Sequence, residues 1–120
     1  MRCIDGSAAA VPEANRAAYL AHAAEAGVVF RDHGALRVVA CRGDDVPEGK
    51  VNSFHTAVLR QPDEPDEAVI FSWIVWPDKT TRDAGGSATM ADPRMALDRG
   101  PMPFDGRRMI YVGSETLLDV

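Results

Sequence analysis

Between residues 68 and 76 every position but one is apolar or aromatic. Val69, Phe71, Trp73 and Val75 alternate with Ile70, Ser72, Ile74 and Trp76. A period of two with both sets apolar describes a strand covered on both faces. Residues 109–118 share the property, with Met109, Tyr111 and Leu117 on one side and Ile110, Val112 and Leu118 on the other. The valine-rich run 36–41 reads as another strand. Ile4, Ala8, Ala9, Ala10 and Val11 make the first ten or so residues a weaker one.

Between these runs the period becomes helical. Tyr19, Ala23, Ala26 and Phe30 recur at intervals of four, three and four, so they share one face of a helix over 13–32. Pro12 is expected at its first position and Glu13 near its positive end, and Gly34 suits the left-handed residue that ends it. Gly43, Asp44, Asp45, Pro47 and Gly49 mark a loop, after which Ser53 caps a short turn carrying Phe54, Ala57 and Val58. Pro62, Asp63, Glu64, Pro65, Asp66 and Glu67 read as surface loop. Asp78 caps a second helix weakened by Gly85–Gly86, with a break expected at Asp92–Pro93. Pro101 and Pro103 end the helical region, and Asp105–Gly106 is a turn.

The order strand, helix, strand, strand, helix, strand predicts an α+β fold. It is the ferredoxin-like βαββαβ antiparallel sheet, with two helices on one face and a single domain over 1–120. Two helices cover one face only. The two-faced strands therefore predict a homodimer, the second copy covering the open sheet face.

Ile4–Asp5–Gly6, His33–Gly34–Ala35–Leu36, Gly43–Asp44–Asp45–Val46, Phe71–Ser72–Trp73–Ile74 and Met102–Pro103–Phe104–Asp105–Gly106 resemble, in order and spacing, the YbaA-like family of uncharacterised bacterial proteins. Met90–Ala91–Asp92–Pro93–Arg94 and Arg107–Arg108–Met109 fit the same pattern. The resemblance implies a dimeric α/β barrel and supplies no catalytic residue. Val112 and Ser114 depart from it, standing where glycine and phenylalanine are usual, and Ala40 stands where an acid is common.

Ser72 is the polar interruption of an otherwise apolar strand, so its hydroxyl needs a partner or a cavity. A pocket between sheet and helices is therefore expected to be bounded by Ser72, Trp73 or Trp76, with Asp5, His33 or Tyr111 nearby. His33 has a structural reading too, as a cation near a helix C-terminus. Asp44–Asp45 and Asp105 read first as turn residues and Asp92 as a cap, with Asp105–Arg108 a candidate local ion pair.

The chain offers no HExxH or CxxC motif for a metal, and no glycine-rich phosphate loop, so neither metal nor cofactor is expected. Cys3 and Cys41 lack redox spacing and pair only if the fold brings them together. Thirteen basic residues against 18 acidic ones, net charge -5, and the single basic pair Arg107–Arg108 argue against nucleic acid as a partner. No apolar run is long enough for a membrane span and no basic-then-apolar leader opens the chain, which points to the cytoplasm. Two functions stay open. One is a binder of a small molecule in the sheet–helix cleft, extending to a cofactor-free enzyme. The other is a non-enzymatic homodimer acting through protein partners.

Overall fold

The computed structural model describes residues 1–59, 66–96 and 102–120. Four strands, β1 (Cys3–Pro12), β2 (Arg37–Arg42), β3 (Glu67–Trp76) and β4 (Ile110–Glu115), form one antiparallel sheet in the order β2-β3-β1-β4. Among the described residues three α-helices accompany them: α1 (Arg16–Asp32), α2 (Phe54–Ala57) and α3 (Lys79–Ala91). The result is a mixed α+β fold. None of the described helices is long and apolar enough to cross a membrane.

Register decides which side chains share a face. Cys3 stands opposite Trp76 and Glu115, Asp5 opposite Ile74 and Gly113, and Ser7 opposite Ser72 and Tyr111. Val38 stands opposite Ile74. One face thus carries Cys3, Asp5, Ser7, Val38, Ser72, Ile74 and Trp76, and α1 and α3 lie on it. Phe30 of α1 meets Trp76 edge-on at 6.2 Å, and Trp76 is fully buried with Cys3 and Ala35. The other face carries Ile4, Gly6, Ala8 and Ala10 with Val69, Phe71, Trp73 and Val75.

The short α2 has a larger part than its length suggests. Ser53 caps it reciprocally with Thr56, and the segment lays Val58 on Ala8, Ala10 and Val69 on the face away from α1 and α3. The chain itself therefore covers part of the sheet face that the strand pattern assigned to a second copy.

Two expected boundaries move. Pro12 is the last residue of β1, not the first of a helix. β1 stays paired through Pro12 opposite Glu67, and the Glu13 N–H continues to the Asp66 carbonyl at 2.7 Å. A 3₁₀ turn, Glu13–Asn15, then leads into α1. Glu67, read as loop, is the first residue of β3, and its side chain is only 3% exposed. Arg108, 41 positions away, binds both its carboxylate oxygens at 2.8 Å and also donates to the Val58 carbonyl. Arg108 is thus committed to Glu67, and the local ion pair of Asp105 is with Arg107 instead, at 3.1 Å. The expected loop residues Pro62, Asp63, Glu64 and Pro65 and the helix end at Pro101 lie outside the described residues.

Other punctuation stands as expected. Gly34 ends α1 with φ 111°, the Asp78 carboxylate accepts from the Thr81 N–H, and Asp92 caps the 3₁₀ turn Pro93–Met95 where α3 breaks. Cys3 and Cys41 are both free: Cys3 is buried under the helices, while Cys41 lies on β2 opposite Phe71, on the other face.

Candidate functional site

On the helix-covered face, polar side chains take positions where a sheet–helix layer is ordinarily apolar. The Ser7 and Ser72 hydroxyls lie 2.8 Å apart across the β1–β3 ladder. The Tyr19 phenol of α1 approaches Ser72 from above. Burial raises the Tyr19 phenol above its ordinary range, with the Ser72 bond pulling the other way. At neutral pH the phenol is protonated, as a tyrosine ordinarily is, and its O–H can donate. Phe104 packs edge-on against Tyr19 at 5.8 Å, and Asn15 Nδ2 donates to the Pro103 carbonyl at 2.9 Å, which holds the 102–105 segment against α1.

Two residues before Ser7 on the same face is Asp5. Trp76 Nε1 donates to its Oδ2 at 3.0 Å, so the buried indole orients the carboxylate. Arg82 of α3 brings Nη1 to 4.0 Å from the other oxygen. Gly113, opposite Asp5 on β4, leaves the space for this approach, because a Cβ there would come within 3.2 Å of both Arg82 Nη1 and Asp5 Oδ1. Arg82 and Gly113 also line a cavity of about 480 Å³ at this end of the sheet, together with Cys3, Lys79, Ser114 and Glu115. A guanidinium at a cavity wall, backed by the Asp5 carboxylate and followed along the sheet by linked hydroxyls, can bind a compact polar molecule by both charge and hydrogen bonds.

Four of the six expected site residues share this face: Asp5, Ser72, Trp76 and Tyr111. Tyr111 stands beside Ser7 on the outer strand and is largely exposed. Trp73 is on the opposite face. His33 lies at the C-terminal end of α1, with its imidazole turned to Asp92 (Nε2 to Oδ2, 2.9 Å). Tyr19, by contrast, sits about 21 Å back along the helix axis.

Sequence reading missed Ser7, Tyr19 and Arg82. Ser7 had a signal, since it sits two positions from Asp5 on a strand. Tyr19 was assigned to the apolar helix face, and nothing in the sequence told Arg82 from any other helical arginine. Among the described residues no three His, Cys, Asp or Glu side chains converge as a metal site would require.

The His33–Asp92 contact belongs to a joint between α1 and the end of α3. Arg94 donates to Asp92 through Nε and Nη2 and to Asp32 through Nη1, all at 2.8–3.0 Å. Arg94, and then His33, hold the Asp92 carboxyl far below the usual carboxylate range. A carboxyl depressed in the folded state adds stability above its unfolded pKa of about 3.9 and loses it as pH falls toward the folded value. The melting temperature of the wild type should therefore fall more steeply below about pH 4 than that of Asp92→Asn. Calorimetric scans from pH 7 to pH 2 check this, and parallel curves for the two proteins would refute it.

Residues 2–106 match the family model described as a protein of unknown function, DUF1428. The chain belongs to this family. It is also 47% identical over 119 residues to the uncharacterized protein YbaA of Escherichia coli K12, the match covering 99% of each chain. The same identity and coverage hold for the YbaA proteins of Escherichia coli O157:H7 and Shigella flexneri. The bacterial, YbaA-like resemblance in the loop and strand motifs is therefore a whole-chain relationship. Family membership names no reaction, so the reading of the site rests on its geometry.

Proposed function

We propose that this protein binds a small polar molecule on the helix-covered face of the sheet. Asp5 and Arg82 would contact its charged or strongly polar end, and the Ser7–Ser72–Tyr19 hydroxyls would contact the remainder. The observation that carries this is Arg82 at the wall of the 480 Å³ cavity, 4.0 Å from the Asp5 carboxylate behind it, with Gly113 making the room. A cofactor-free enzyme using the same groups is the extension of this reading.

The opposite face supports a homodimer, which we place in the cytoplasm. The order β2-β3-β1-β4, with α1 and α3 on one side, fits a ferredoxin-like half of a dimeric α/β barrel. Phe71 and Val112 on the other side are about half exposed, a large apolar area for an isolated surface. The second function, a dimer acting through protein partners, draws on the exposed Tyr111, Leu117 and Leu118 at the β4 edge.

A thermal-shift screen of polar metabolites (amino acids, hydroxy acids, nucleosides and sugar acids) tests the site. At least one compound should stabilise the wild type by about 2.7 kcal/mol at 100-fold excess over Kd, read as a raised melting temperature. The shift should be lost in Asp5→Asn and Ser72→Ala. A hit that shifts both variants as it does the wild type, or no hit at all, would count against the site. Light scattering at micromolar concentration should give twice the chain mass, with Trp73→Asp monomeric. A wild-type monomer would refute the dimer.

A further inference from the structure

We propose that the cavity at the Arg82 end of the sheet takes an α-amino acid as its zwitterion, the carboxylate meeting Arg82 and the ammonium meeting Glu115. This rests on the binding reading above and names the class of ligand.

The floor of the cavity comes from β4. On the helix-covered face that strand carries Tyr111, Gly113 and Glu115, opposite Ser7, Asp5 and Cys3. Gly113, in the middle, has no side chain, and the cavity of about 480 Å³ opens beside it. Arg82 of α3 and Glu115 both line this space. A Cβ added to Gly113 would lie 3.2 Å from Arg82 Nη1, so the guanidinium stands close over the glycine. Glu115 rises two residues further along the strand, about 7 Å away.

Both groups have binding capacity left. Asp83 takes one edge of the guanidinium, at 3.3 Å from Nε and 3.2 Å from Nη2. Nη1 is turned to the sheet, where the Asp5 carboxylate stands 4.0 Å off, beyond hydrogen-bond reach. Among the described residues no hydrogen bond engages Nη1, although the Arg82 side chain is only 20% exposed. A donor so placed needs an acceptor, from water or from a ligand. Glu115 carries the opposite charge, and among the described residues no ion pair or side-chain hydrogen bond engages its carboxylate. Two other charged groups of the lining are already occupied. The Asp78 carboxylate accepts from the Thr81 N–H, and Lys79 Nζ donates to Asp83 at 2.6 Å.

Charge decides between ligand classes. Asp5 and Asp83 flank the guanidinium, and Glu115 adds a third acid. A plain anion would bring an unmatched negative charge into this group, and a plain amine would leave Nη1 unmet. A zwitterion supplies an acceptor to Nη1 and a donor to Glu115, and it adds no net charge. Spacing selects the α-amino acid. Two charge-assisted bonds of about 2.8 Å each take up most of a span of about 7 Å, so the two charged ends must sit on one carbon. Cys3, buried and also lining the cavity, offers an apolar surface to the ligand's side chain.

Amide NMR titrations test the assignment. The probes are the proteinogenic L-amino acids, each with its N-acetyl derivative and the 2-hydroxy acid of the same side chain. At least one free amino acid should shift the amides of Gly113, Ser114 and Glu115. Its N-acetyl and hydroxy counterparts should bind about 10-fold more weakly, because each loses the charged donor to Glu115. Glu115→Gln should abolish that preference. Arg82→Gln should weaken the amino acid and the hydroxy acid alike, by about 10-fold. Circular dichroism on both variants verifies the fold. A hydroxy acid or N-acetyl derivative bound as tightly as the amino acid, or a preference that survives Glu115→Gln, would overturn the zwitterion and leave the binding site standing. Cavity shifts from nucleosides or sugar acids alone would do the same. No cavity shift from any of these compounds would refute both.

Discussion

Gly85→Ala should lower the melting temperature by roughly 10–15 °C, while Gly86→Ala, one residue on, should raise it slightly. At Gly85 a Cβ would stand 2.4 Å from the His33 carbonyl oxygen and 2.5 Å from the Trp76 ring. Neither neighbour can give way easily: one is backbone at the end of α1, the other a fully buried indole wedged beneath Phe30. Overpacking typically costs about 1–3 kcal/mol, and a clash with two rigid groups belongs at or above the upper end, which gives that shift for a domain of this size. At Gly86 a Cβ meets nothing within 4 Å, so alanine should gain helix propensity worth up to about 1 kcal/mol. Calorimetry on the two variants reads both signs. Equal effects would show that α3 does not pack on Trp76 as described.

Glu67→Ala should cost about 3–5 kcal/mol in urea unfolding. The carboxylate is nearly solvent-free and receives both Arg108 nitrogens, and Arg108 ties the Val58 carbonyl to the same point. Removing the acid takes both charge-assisted hydrogen bonds of the pair from a mostly buried guanidinium, and that lost compensation is the source of the loss. Glu67→Ala combined with Arg108→Ala should therefore cost clearly less than the sum of the two single changes. Additive losses would mean that the pair is not coupled. Because Val58 anchors the segment that carries α2, the single variants should also expose that segment to proteolysis sooner than the rest of the chain.

These two sites mark where sequence reading succeeds and where it stops. Gly85 was legible only as a weakness in a helix. Its use, admitting Trp76 and the end of α1 to one spot, depends on elements 52 residues apart in the chain, from His33 to Gly85. Glu67 was read as solvent-facing because it closes an acidic, proline-bounded stretch, and nothing local announces that Arg108 will bury it. The candidate site behaves alike. Ser72 and Asp5 were visible as polar residues in apolar or strand-like settings. Their partners Tyr19 and Arg82 come from helices, where polar or aromatic residues are ordinary.

What the sequence by itself determined was the local grammar. The two-residue period of 69–76, the four-three-four spacing from Tyr19 to Phe30, and the caps at Ser53, Asp78 and Asp92 follow from backbone geometry and hydrogen bonding among near neighbours. They all appear in the structure. Only the tertiary structure decided which side of each strand meets the helices, that 43–59 folds onto the other face, and that Arg82 at a cavity wall faces Asp5. Those outcomes depend on register between strand residues 55–112 positions apart. They also depend on whether a buried charge finds its partner, an energy that exists only once the chain has closed on itself.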